Sequence, residues 1–183
     1  MNDPKTWRMG TPFPDSYWVV PGRFLAGEYP RNLDETESLE KIRSLLSFDI
    51  KLFLDLTEPG ESSFSGAPLL EYDSLLEKAG SPVEHERFPI PDRGIASVEA
   101  IKQILDEIDL NIEKGRPVYL HCWGGHGRTG LVAGCWLARH GKASKEEVLD
   151  RLRSLRTGMP DGWKDSPETP GQISLVLGWN RGE

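Results

Sequence analysis

Ten consecutive residues constrain this chain more than any other stretch: His121-Cys122-Trp123-Gly124-Gly125-His126-Gly127-Arg128-Thr129-Gly130. The run 117–120 ahead of them reads as a β-strand, and the pattern from about Arg128 onward reads as a helix. A short glycine-rich loop therefore joins a strand to a helix N-terminus, where backbone N–H groups and the helix dipole favour an anion. The same positive field favours the thiolate form of Cys122, the nucleophilic form of a cysteine. Gly124, Gly125 and Gly127 let the backbone curl so that successive N–H groups point inward, as in other phosphate-binding nests.

A chain of 183 residues is long enough for one domain with a proper core. The division expected is a flexible arm over 1–16, polar with three prolines, and a single domain over 17–183. The arm has neither the apolar run of a signal peptide nor that of an anchor, and no segment has the apolar length needed to cross a bilayer. The formal net charge of −7 argues against nucleic acid and anionic lipid as partners. Two cysteines in 183 residues do not make a disulfide scaffold, so a reducing cytoplasm is the expected compartment. Cys135, inside the apolar run 131–137, is expected to be inert core.

Two short strands are expected around the turn Pro21-Gly22, then a helix over 34–47 with capping-box spacing at Asp34 and Glu37. A buried strand at 52–57 ends in Glu58-Pro59-Gly60, and a weaker helix over 69–79 is stopped by Gly80. A strand at 84–90 follows, and then a helix capped by Ser97 with an apolar stripe from Val98 to Ile112. After the glycine-rich loop come helices to about Arg139, over 144–155 with a capping box at Ser144 and Glu147, and over 172–177. Helices alternating with strands imply an α/β fold with a mostly parallel central sheet flanked by helices on both faces.

A His-Cys pair, five residues and an Arg-Thr pair, set after a strand and before a helix, resemble the signature loop of the cysteine-dependent protein tyrosine phosphatases. The chain is most similar to the small dual-specificity branch, which includes cyclin-dependent kinase-associated phosphatase and its bacterial relatives. The similarity runs from about residue 84 to 155, and less clearly back to Trp18. The resemblance implies hydrolysis of a phosphomonoester through a phosphocysteine on Cys122, which splits one difficult displacement into two easier ones. Arg128 would clamp two phosphoryl oxygens with its planar fork. Thr129 would hydrogen-bond the sulfur, and His121 would order the loop. Trp123, Gly124, Gly125, His126 and Gly127 would surround the phosphate, with Trp123 and His126 facing the mouth of the pocket.

In this family the general acid is an aspartate on a loop some thirty residues before the cysteine, and Pro91-Asp92-Arg93-Gly94 stands there. Asp92 would protonate the leaving oxygen and then activate water. Asp55 and Asp73 are poorer candidates, since they fall within a strand run and a helix run. Arg93 reads equally as a contact to a second phosphate or as a solvated side chain. Gln172 reads either as the water-placing glutamine of tyrosine-specific members or as an ordinary helix-start residue. Trp163 and Trp179 read as packing residues, and His85 and His140 as structural.

No Cys/His/carboxylate cluster has metal-ligand spacing, so neither metal nor cofactor is expected. The expected partner is a phosphorylated protein or small phosphoester acted on by a monomer. An inositol phosphate remains an alternative substrate. Other users of a cysteine loop, namely sulfurtransferases and arsenate reductases, need no upstream acid. A phosphate-binding pseudophosphatase would typically lack the Cys, Arg or Asp that all stand here.

Overall fold

The computed structural model describes residues 10–63 and 65–183. Its strands are β1 (Ser16–Val20), β2 (Phe24–Gly27), β3 (Leu52–Asp55), β4 (Glu84–Arg87) and β5 (Val118–His121). They form one sheet in the order β1-β2-β5-β3-β4. β2, β5, β3 and β4 run parallel, and β1 returns antiparallel along β2 as a hairpin edge.

Side-chain alternation along the strands divides the core into two layers. Phe24, Ala26, Leu52, Leu54, Val118 and Leu120 face one way. They pack on α3 (Val98–Glu113), α4 (Gly127–Arg139), α5 (Val148–Leu155) and α6 (Pro170–Gly178). Leu25, Phe53 and Tyr119 face the other way, against α1 (Glu35–Ser47) and α2 (Asp73–Ala79). The expected α/β architecture, a mostly parallel sheet with helices on both faces, is the one formed. Among the described residues no helix is long and apolar enough to cross a membrane.

Topology fixes where the glycine-rich loop lies. β5 is the central strand, and its last residue His121 pairs in register with Gly27 on one side and Asp55 on the other. The loop therefore leaves the sheet between the carboxyl ends of two parallel neighbours, where open α/β sheets place their ligand sites. α4, which follows, is buried from Gly127 to Ala138, so the N-terminus that holds the loop is anchored in the core.

Local chemistry sets most helix ends. Asp34 caps α1 by accepting from Glu37 N at 3.0 Å. The Glu37 carboxylate turns instead to Asn32 Nδ2 at 3.0 Å, so the expected box is only half formed. Ser97 caps α3 by accepting from Ala100 N at 3.1 Å. The full capping box is at α6, between Thr169 and Gln172.

Several expectations need correction. The helix expected from 144 begins at Val148, because residues 144–147 close a turn through Glu147 N to Ser144 O at 3.1 Å. The helix expected from 69 begins at Asp73. Trp163 is not a packing residue: it is 80% exposed on the loop after α5. Of the expected arm, residues 1–9 lie outside the described residues. Residues 10–16 pack on the domain: Ser44 Oγ donates to Pro12 O at 2.6 Å, and Phe13 meets the Tyr119 ring edge-on at 6.1 Å.

Candidate active site

Cys122 follows β5 directly and is 3% exposed. Its Sγ accepts a hydrogen bond from Thr129 Oγ1 at 3.1 Å, which reaches back from the first turn of α4. That helix N-terminus has no side-chain cap and no acidic residue in its first turn, so its free N–H groups and dipole are available to an anion. Cys122, Trp123, Gly124, His126, Gly127 and Arg128 line a cavity of about 80 Å³, and Asp92, Arg93 and Glu168 close its rim. A larger cavity of about 510 Å³ lies along β1 and the end of α5 and contains none of these groups. The small one holds the thiol, the guanidinium and the carboxylate together, and chemistry rather than size selects it.

Gly125 is the one loop residue expected at the phosphate that does not line the cavity. Its φ is +71°, and a Cβ there would come within 2.5 Å of Gly27 C and 2.6 Å of Glu28 N. It is the point at which the loop touches the end of β2, and only glycine fits both the backbone conformation and the gap. His126 Nδ1 lies 2.9 Å from Gly124 O, which assigns its proton to Nδ1 and folds the ring onto its own loop.

Arg128 is 2% exposed, and both of its terminal nitrogens are engaged. Its Nη1 donates to Glu61 Oε2 at 2.6 Å and to Ile90 O at 3.1 Å. Its Nη2 donates to Glu61 Oε1 at 2.7 Å and to Asp92 Oδ1 at 3.0 Å. Burial alone would weaken its hold on the proton, but the Glu61 hydrogen bonds and the negative groups at Cys122, Glu61 and Asp92 outweigh that, so it stays a cation. Glu61 was missed in the sequence. The available signal was its position in the turn after β3, at the carboxyl edge of the sheet.

Beneath the loop lies a buried polar network. His121 is fully buried, with Nε2 2.7 Å from Tyr72 Oη and Nδ1 3.3 Å from Cys122 O and 3.9 Å from Asp55 Oδ1. Two acceptors at Nδ1 assign the proton there, so Tyr72 donates to Nε2. Burial pushes the His121 imidazole down to about 4, and it is neutral at neutral pH. Burial alone would raise Asp55, but the nearby His121 and His85 and the hydrogen bonds from Thr57 overcome it and hold the carboxyl well below the usual range. Arg87 forks onto Asp55 Oδ2 at 3.0 and 2.8 Å. His85 bridges Asp73 Oδ1 at 2.8 Å and Asp55 Oδ2 at 3.5 Å. Asp55 and Asp73 are thus committed to this network, away from the cavity lining.

The loop 91–96, which holds the expected acid Asp92, approaches from the other side. Asp92, with a side chain 54% exposed, touches Arg128 across the cavity. Arg93, in the left-handed region at φ +57°, pairs with Glu168 Oε1 at 2.7 Å. Gln172 is fully buried and donates from Nε2 to Gly94 O at 2.9 Å. His140 pairs with Asp109 at 2.9 Å, and Trp179 is buried packing. Cys135 is a free, fully buried thiol that burial pushes well up, which makes it inert core.

Known proteins resemble this chain in sequence and fold. The stretch aligned with cyclin-dependent kinase inhibitor 3 of Sus scrofa is 36% identical over 69 residues, which is 37% of this chain and 32% of that protein. The putative tyrosine phosphatase 067L of Invertebrate iridescent virus 3 is 29% identical over 152 residues, 79% of this chain and 54% of that protein. The matches thus span from a third to just over half of these relatives' lengths. The crystal structure of Tk-PTP in its active form superimposes with a TM-score of 0.68 at 28% identity, covering 90% of this chain and 95% of that one. The family description "Swiss Army Knife protein, DSP-PTPase phosphatase domain" fits residues 14–164, and the chain belongs to that family of cysteine-based dual-specificity and tyrosine phosphatases.

Proposed function

We propose that the chain hydrolyses phosphomonoesters through a phosphocysteine intermediate. Cys122 attacks phosphorus, the bond to the ester oxygen breaks, and Asp92 delivers a proton to the leaving oxygen. Water then attacks the phosphocysteine with Asp92 taking its proton, and the thiolate leaves, stabilised by the hydrogen bond from Thr129. Arg128 and the backbone N–H groups of the loop stabilise charge on the phosphoryl oxygens, which is where phosphoryl transfer needs help. Glu61 acts on Arg128, fixing the plane of its fork.

The observation that carries this reading is the meeting of Asp92 with Arg128 at 3.0 Å, in the same small cavity as Cys122. Both cysteines are free, which suits a reducing compartment such as the cytoplasm. The substrate class is a phosphorylated protein or a small phosphoester. Metal-free turnover of p-nitrophenyl phosphate, with acid-quench trapping of a phosphoprotein, tests the reaction. Labelled phosphate found on Cys122 supports it. Turnover that leaves no phosphoenzyme, or that moves the label to another residue, overturns it.

A further inference from the structure

We infer that Gln172 is a positioning residue for Asp92: its buried amide latches the acid loop, residues 91–96, to the first turn of α6. The inference rests on the proposed role of Asp92 as general acid. Gln172 is fully buried and does not line the cavity, so its amide is not offered to a water at the phosphoryl group.

Each end of that amide has its own task. Oε1 accepts from Glu168 N at 3.0 Å and Thr169 N at 3.2 Å, which is the capping of α6. A glutamate would cap as well. Nε2 donates to Gly94 O at 2.9 Å, across a separation of 78 residues. Capping has no use for that donor, and only a donor can make the bond to the acid loop.

Apart from this bond the loop is held mainly at its ends, by buried Ile90 before it and by Ala96 packed against the core. Pro91, Asp92, Arg93 and Ile95 are all exposed. The Arg93–Glu168 pair has side chains 63% and 30% exposed, and solvent-screened pairs of that kind contribute little. The turn itself, closed by Gly94 N to Pro91 O at 2.8 Å, carries Arg93 in a left-handed conformation that a non-glycine residue adopts only when its surroundings enforce it. The bond from Arg128 to Asp92 must loosen when a phosphoryl group takes the guanidinium and Asp92 turns to the leaving oxygen. Through that exchange the bond from Gln172, whose own side chain is fully buried, is the one that keeps the loop in place.

Gln172→Glu separates the two tasks, since it keeps the cap and replaces the donor with an oxygen facing Gly94 O. At neutral pH its kcat/KM for a phosphoserine peptide should fall about tenfold, the size of one hydrogen bond. For p-nitrophenyl phosphate, whose leaving group needs little protonation, the loss should be much smaller. Added to Asp92→Asn it should cost nothing more, because both act through the same proton. Gln172→Met, which introduces no buried charge, should give the same leaving-group signature if the glutamate variant folds poorly. Equal losses on both substrates, or losses that multiply in the double variant, mark a merely structural residue and overturn the inference. Asp92→Asn alone distinguishes the levels: if it spares the peptide, the acid role fails and the latch with it. If it slows the peptide while both Gln172 variants do not, the latch alone is overturned.

Discussion

The two walls of the cavity are built on opposite principles. The phosphate loop is short in sequence and buried: Cys122, Arg128 and Thr129 are at most 3% exposed, between the sheet's carboxyl edge and a core helix. The acid loop is exposed at most of its positions and tied down by side chains from distant segments, Arg128, Glu168 and Gln172. Rigid geometry suits a group that must aim fixed dipoles at developing charge. Looser tethering would suit Asp92 in the proposed role of an acid that releases Arg128 and reaches the leaving oxygen in each cycle.

The contrast is broken most directly at the buried wall. Cys122→Ser should leave less than about one per cent of turnover while the phosphate ester still binds, because the loop's N–H groups and Arg128 persist without the thiolate. Retained turnover in that variant would remove Cys122 from the chemistry. Arg128→Lys should be nearly as damaging as Arg128→Ala, since a point charge cannot replace the planar fork held by Glu61. Steady-state kinetics on both variants decides this, and a lysine enzyme with most of its activity would reduce Arg128 to a diffuse charge.

At the exposed wall the effect should depend on the substrate. Asp92→Asn should slow a peptide phosphate by roughly 10²–10⁴-fold and an activated aryl phosphate much less. A uniform loss on both esters would show Asp92 to be holding Arg128 rather than moving a proton. Glu61→Gln sharpens the comparison from behind. It keeps the volume but leaves the buried guanidinium short of its counter-charge, and activity should drop about tenfold with a lower melting temperature. Unchanged values in both would mean that the α4 backbone alone orients Arg128.

How much of this was legible follows the same division. The geometry of the glycine-rich loop could be read because it lies within ten residues and depends on one strand and one helix. The parallel sheet could be read because β3 and β5 are apolar on both sides, as strands covered on two faces must be. Glu61 and the donor role of Gln172 could not, because each depends on which distant segment arrives beside it. Trp163 was misread because hydrophobicity speaks to burial on average, and the loop after α5 leaves that ring in water. At 144–147 the expected box is half formed, since Ser144 N donates to the Glu147 carboxylate at 3.3 Å, while the Ser144 side chain makes no cap and the first turn stays outside the helix.

A further expected effect concerns stability beneath the loop. His121 folds with its pKa lowered to about 4, against roughly 6.5 when unfolded, so below pH 6.5 the unfolded chain binds the proton first. Its contribution is complete above about 6.5 and is lost as pH falls toward 4, about 3 kcal/mol at most. His85, whose pKa is raised by its bonds to Asp55 and Asp73 against the pull of burial, has the opposite sign: its contribution is present below about 6.5 and lost as pH rises through its folded value. Glu28 and Glu86, raised by burial, partly offset the acid-side loss. Chemical denaturation from pH 7 to 4 should therefore show a steeper fall for the native chain than for His121→Asn. Parallel curves would mean that His121 does not carry the acid sensitivity.

The strand order has a consequence for how the domain comes together. β5 docks between β2 and β3, whose partner residues Phe24 and Leu52 lie far back in the chain from Val118. The anion nest therefore cannot assemble as a local unit: its walls exist only once long loops have closed, the slow and entropically costly part of folding. An oxyanion that binds the finished nest and not the open chain draws its stabilisation from the whole cooperative domain. Protection of amides in β2 and β3, remote from the ligand, should then rise in step with its occupancy.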